Sequence, residues 1–132
     1  MATITRFEDL EVWKKARVLC KDIHAILSCG SLATDYRLRD QMNGSSGSIM
    51  DNIAEGFERG TRNEFIQFLG FAKGSCGEFR SQLYRAADYG YINQTEFEEL
   101  FEKATRTSAM LQKLTEYLIS SNIRGQRYKG RV

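Results

Sequence analysis

The residues able to do chemistry in this chain of 132 residues are few and far apart. Cys20, Cys29 and Cys76 form no CxxC pair, and the single histidine, His24, cannot complete a Cys/His metal set. A di-iron bundle would need Glu-x-x-His twice, and no such motif occurs. His24 lies beside an apolar helical arc, where a packed or partly exposed imidazole is a commoner fate than a general base. Cys20 and Cys76 fall on apolar seams as small hydrophobes, which leaves Cys29 as the thiol expected at the surface. Gly70-x-x-x-Gly74 lacks the strand, lysine and loop of a phosphate cradle. The expectation is a protein without catalytic residue, metal or cofactor, and not an enzyme.

Asn52, Glu55 and Glu78 are the more interesting polar residues. They flank apolar positions on two helices expected to be adjacent, so their side chains would meet at one face. A paired-carboxylate metal or acid/base site is one outcome. A structural polar cluster that caps helix ends or sets subunit register is the favoured one, because no histidine accompanies them.

Charge is informative by position. Residues 1–123 hold 15 basic and 17 acidic side chains, whereas 124–132 hold four basic and none acidic, within a chain of net charge +2. The basic segment contains Arg124, Arg127, Lys129 and Arg131, with Tyr128 available to stack on a base. A solubilising tail explains it as well as a phosphate-binding one does.

The elements that must position these residues are helices. The chain has no proline, which favours long uninterrupted helices joined by short turns. Apolar spacing predicts a first helix over 8–28, with one stripe at Leu10, Trp13, Cys20 and Leu27 and a second at Val12, Leu19 and Ile26. A second helix is expected over 35–58. It must run through Asn43-Gly44-Ser45-Ser46-Gly47-Ser48, which resembles a linker, but Met42 and Ile49 keep helical phase across it. Gly44 and Gly47 are therefore assigned to close helix packing, as are Gly70, Gly74 and Gly77.

A third helix over 62–89 carries an unbroken seam of Phe65, Leu69, Ala72, Cys76, Phe79, Leu83 and Ala86, opened by a Thr61/Glu64 capping box. A fourth over 94–121 starts at Asn93 with Glu96 and continues through Phe97, Leu100, Ala104, Thr107, Leu111, Leu114 and Leu118. Four helices of similar length with short turns predict an all-α, up-down-up-down antiparallel four-helix bundle over 1–123, followed by a basic tail at 124–132. No apolar run approaches the length of a membrane span, and the start Met-Ala-Thr-Ile-Thr-Arg lacks the apolar stretch of a secretory signal. A cytoplasmic protein with reduced thiols is expected.

Several motifs then fall into register with one family. Phe7-x-Asp9-Leu10-x-Val12-Trp13-x-x-Ala16, Ser48-Ile49-x-x-Asn52-Ile53-Ala54-Glu55-Gly56, Ala72-x-Gly74-Ser75-x-x-Glu78, Gln82-Leu83-x-x-Ala86 and Gly90-Tyr91-Ile92 together resemble the four-helix-bundle, or 23S rRNA intervening-sequence, proteins of bacteria. The resemblance covers residues 7–121. It implies a ring-shaped homopentamer and a biochemical role that is largely unassigned. A similar fold occurs in nucleic-acid-binding accessory proteins of retroelements.

In the expected bundle, the start of helix 1, the helix 2–3 turn and the end of helix 4 share one end. That end would gather Arg6, Arg59 and Arg62 with the tail residues Arg124, Arg127, Tyr128, Lys129 and Arg131. The expected function is a homo-oligomer that binds RNA or DNA through this basic end, by phosphate contacts rather than base readout. The alternative is a structural or protein-interaction scaffold whose partner is another protein. The second apolar surface on helix 1, with Phe68 and Phe71 on helix 3, predicts self-association.

Overall fold

The computed structural model describes residues 4–121, and the basic tail 124–132 lies outside them. Four antiparallel helices pack in sequence order and α1 closes against α4: α1 (Glu11–Leu27), α2 (Tyr36–Arg59), α3 (Arg62–Asp88) and α4 (Gln94–Ser120). The up-down bundle is the expected one, and among the described residues no helix is long and apolar enough to cross a membrane.

Local chemistry accounts for most of the boundaries. Asp35 accepts from the Leu38 amide at 3.2 Å at the head of α2, and its other oxygen accepts the Tyr91 hydroxyl at 2.9 Å. Asn93 and Glu96 exchange reciprocal bonds of 2.8 and 2.9 Å, a complete capping box for α4. At α3 only half of the expected box forms. Thr61 Oγ1 accepts from the Glu64 amide, but the Glu64 carboxylate accepts the Thr61 hydroxyl instead of the backbone N–H. Gly60 at φ +86° turns the chain between α2 and α3 in a left-handed conformation that a Cβ would strain.

The first helix starts later than its apolar spacing suggests. Phe7–Asp9 is a 3₁₀ turn, and Leu10 is extended at φ −71°, ψ 125°, so α1 begins at Glu11. Leu10 is buried in that conformation, and Phe7 packs edge-on against Trp13 at 5.2 Å. The core seam of α1 is Val12, Ala16, Leu19, Ile23 and Leu27, which mixes the two expected stripes and leaves Trp13 and Cys20 half-buried.

The core seam of α3 runs as read: Phe65, Leu69, Ala72, Cys76, Phe79, Leu83 and Ala86 are all fully buried. Helix α2 is continuous through its small-residue waist. The packing there comes from the serines. Ser45 Oγ donates to Gln82 Oε1 on α3 at 2.6 Å, and Ser46 Oγ donates back to the Met42 carbonyl at 2.8 Å.

The glycine assignments are overturned. A Cβ at Gly44, Gly47, Gly70 or Gly74 would meet nothing within 4 Å, and at Gly77 only the end of the Arg80 side chain at 3.8 Å. These glycines face outward and bring no helices together within the chain. The close approach lies at Gly56, where a Cβ would sit 2.5 Å from Phe68 Cβ and 3.2 Å from Phe65 Cδ1.

Candidate nucleic-acid interface

The end of the bundle where α2 turns into α3 carries the three arginines singled out within the described residues. Each is already engaged. Arg62, the first residue of α3, is only 9% exposed, and its Nη1 donates to the Leu118 carbonyl at 2.6 Å and the Ile119 carbonyl at 3.3 Å. It caps the C-terminus of α4, whose last carbonyls have no helical partner. Arg62 is thus a structural residue and not a free phosphate contact.

Arg59 pairs with Glu55 at 3.1 Å and Glu64 at 3.4 Å, and its guanidinium lies 5.0 Å from the Phe68 ring centre. Arg6 lies 3.5 Å from Asp9 and 3.9 Å from Glu8. Two carboxylates beside each arginine offset its charge locally, so this end is less positive than the arginine count implied. Arg124, Arg127, Tyr128, Lys129 and Arg131 lie outside the described residues. Their root does not: Arg62 fixes the end of α4, and therefore Ser121, beside the α2–α3 turn.

Asn52, Glu55 and Glu78 do not gather into a polar cluster. Asn52 donates to the Ser48 carbonyl of its own helix at 2.8 Å, and Glu55 serves Arg59. The bonds and contacts between α2 and α3 set Ser45 beside Gln82 and Gly56 beside Phe68. Glu78 is thereby level with residues 46–49, roughly two turns or ~10 Å along the helix from Glu55. Among the described residues no group of three His, Cys, Asp or Glu side chains could hold a metal ion.

The thiols sort by depth. Burial pushes the Cys76 thiol up to about 12, against a smaller opposing pull from the Arg80 charge. Burial, with the Asp51 charge beside it, also raises Cys20, whose Sγ lies 3.2 Å from the Ser46 carbonyl. Cys29 is exposed. Native protein at pH 8 should therefore release colour from a disulfide reagent in three steps: Cys29 fast, Cys20 slowly and Cys76 only on unfolding. Fast modification of Cys76 would contradict this packing. Because the folded state keeps a proton on Cys76 that the unfolded chain gives up above about pH 9, stability should fall as pH rises from 9 toward 12.

One feature was missed in the sequence: a groove of mixed polarity between α1 and α2. Two depressions of about 410 and 430 Å³ share His24 and Asn43 as lining residues and so run into each other. Arg17 and Lys21 line one part, Arg39 the other, and Gly47 forms part of the α2 wall. The available signal was the spacing of the basic residues Arg17 and Lys21, one turn apart along an edge of α1 outside its apolar seam.

The family model described as 23S rRNA-intervening sequence protein matches residues 8–113. A solved structure of a protein of unknown function from the S23 ribosomal protein family, from Bacteroides thetaiotaomicron VPI-5482, has the same fold at a TM-score of 0.69. The two chains are 20% identical over 80% of this chain and 95% of that one. No curated protein matches.

Proposed function

Because the chain belongs to the 23S rRNA-intervening sequence protein family, we propose that it is a non-catalytic, cytosolic homo-oligomer that binds RNA or DNA from the α2–α3 turn end of its bundle. The observation that carries this reading is the root of the tail. Arg62 holds Leu118 and Ile119 at that end, and the sequence beyond Ser121 carries four cations and no acidic residue. Within the bundle end, Arg6 and Arg59 contribute little net charge, which puts the weight of binding on Arg124, Arg127, Lys129 and Arg131, with Tyr128 as a stacking group.

The second α1 stripe expected to drive self-association is taken up by the core, where Val12 and Leu19 are buried; what supports self-association is Phe71, 49% exposed, with Val18 at 47% and Ile119 at 60% on other helices. A homopentamer with its like ends on one rim would concentrate about +20 of tail charge there, raising affinity for phosphate well above that of one chain.

Deleting residues 124–132 tests the reading. The truncated protein should keep its melting temperature and oligomeric mass and lose most of its retention on RNA at moderate salt. The carboxylates beside Arg6 and Arg59 favour a second reading, a scaffold for another protein. That reading takes over if the intact protein shows no salt-sensitive binding to RNA or DNA at micromolar concentration.

A further inference from the structure

We propose that the groove between α1 and α2 is a track for a single-stranded phosphodiester backbone, lined by Arg17, Lys21 and Arg39. This rests on the nucleic-acid reading above but places a contact on a different part of the molecule. Arg17 and Lys21 stand one helical turn apart, with about 5–6 Å between their Cβ atoms, and neither pairs with a carboxylate among the described residues. Arg39 lines the second depression, held 3.0 Å from Asp40 and 4.9 Å above the Tyr36 ring centre. Asp51 on the α2 wall is the other acidic lining residue. His24, Ser28 and Asn43 add hydrogen-bonding groups between the cations.

Shape narrows the occupant. The lining of α1 extends from Arg17 to Ser28, about 16 Å of helix, with Arg17 and Lys21 toward one end and Arg39 of α2 at the other. A repeating anion satisfies such a row, whereas a single small anion would use one part of it. At the middle of α2, Gly47 leaves the wall without a side chain, although glycine inside a helix costs about 0.5–1 kcal/mol relative to alanine. No neighbouring group in this chain fills the space, so the glycine yields no packing in return. Arg39 is offset by Asp40, so the attraction for a polyanion rests on Arg17 and Lys21, with Asp51 the one carboxylate near them in the lining.

The groove between α1 and α4 offers a contrast. It also has Lys15, Lys103 and Arg106 in its lining, but Lys103 pairs with Asp22 and Arg106 with Glu102 at 2.7 Å, which leaves Lys15 alone without a carboxylate among the described residues. The phosphate contacts in the α1–α2 groove need no such pair to be broken at Arg17 or Lys21.

The test uses the full chain and fluorescein-labelled 12-mers of oligouridylate and oligothymidylate, read by anisotropy across a salt series. Two variants attack the groove by different means: Arg17→Gln with Lys21→Gln removes charge, and Gly47→Leu fills space without changing charge. Each should weaken binding roughly tenfold, and the double variant should flatten the slope of log K against log salt by about 1.4. Circular dichroism and light scattering establish that both variants keep their fold and mass. Equal loss with both oligomers identifies the shared phosphate backbone, and a larger loss with oligouridylate adds a 2′-hydroxyl contact; either supports the proposal. If the intact protein binds and both variants bind equally well, the groove is not the track and the tail reading stands alone. If the intact protein binds neither oligomer, both proposals fall.

Discussion

Replacing Gly56 by alanine should destabilise the protein by about 2–3 kcal/mol and lower its melting temperature by about 10 °C. The added methyl would meet Phe68 Cβ at 2.5 Å, and that atom is fixed by the α3 backbone, so no rotamer change removes it. Phe65, whose ring packs perpendicular to Phe57 at 5.8 Å, blocks the other side. The two helices, the most extensively packed pair of the bundle, would have to part there. The same substitution at Gly44, Gly47, Gly70 and Gly74 should do the opposite, each adding about 0.5–1 kcal/mol, because the methyl enters open space and lowers the entropy of the unfolded chain. Thermal unfolding of Gly56→Ala beside the fourfold variant decides it. A Gly56→Ala protein that melts with or above the parent would show that α2 and α3 do not approach as described.

Arg62→Met should be comparably severe, at about 2–3 kcal/mol, though it removes only one surface-type residue from the sequence. Methionine fills part of the volume but leaves the Leu118 and Ile119 carbonyls, now bonded at 2.6 and 3.3 Å, without their donor. The charge matters as well, since a cation at the C-terminus of α4 complements the helix dipole. Nε of Arg62 has no hydrogen-bond partner among the described residues, so the present arrangement already carries an uncompensated cost. Arg62→Lys should recover part of the stability and Arg62→Met none. Amide exchange over the last turn of α4 should accelerate in step with the loss. Unchanged exchange there would remove Arg62 from its capping role.

These two sites mark where sequence reading stops. The α3 seam was legible because seven apolar residues keep one phase and a seam buried on one face requires nothing else. The continuity of α2 was legible for a similar reason: Met42 and Ile49 stay in phase across six small or polar residues. Which of those small residues packs was not legible. Gly44 and Gly47 look like contact points by type, but the helix turns Ser45 and Ser46 inward and leaves the glycines outside. Gly56 has the same type and the opposite fate. Only the register of α2 against α3, set through the short turn at Gly60 and Thr61, puts Phe68 beside it.

The candidate site divides along the same line. A count of arginines near one end of a bundle treats Arg6, Arg59 and Arg62 alike. Their partners are what differ, and Leu118 is 56 residues from Arg62 in the chain. The separation of Glu78 from Glu55 is likewise a question of register between two helices. The α1–α2 groove needs two helices side by side before Arg17 and Arg39 belong to one surface. Periodicity along a single helix does not contain that information.

The bond from Arg62 to the last turn of α4 also sets where the chain can be cut. A protease that nicks beyond Ser121 would release the basic segment and leave the bundle's anchor whole. Loss of one further turn removes Leu118, which is both a buried core side chain and the principal acceptor for Arg62. A truncation that removes the last four described residues, 118–121, would therefore strip the clasp from the helix it closes.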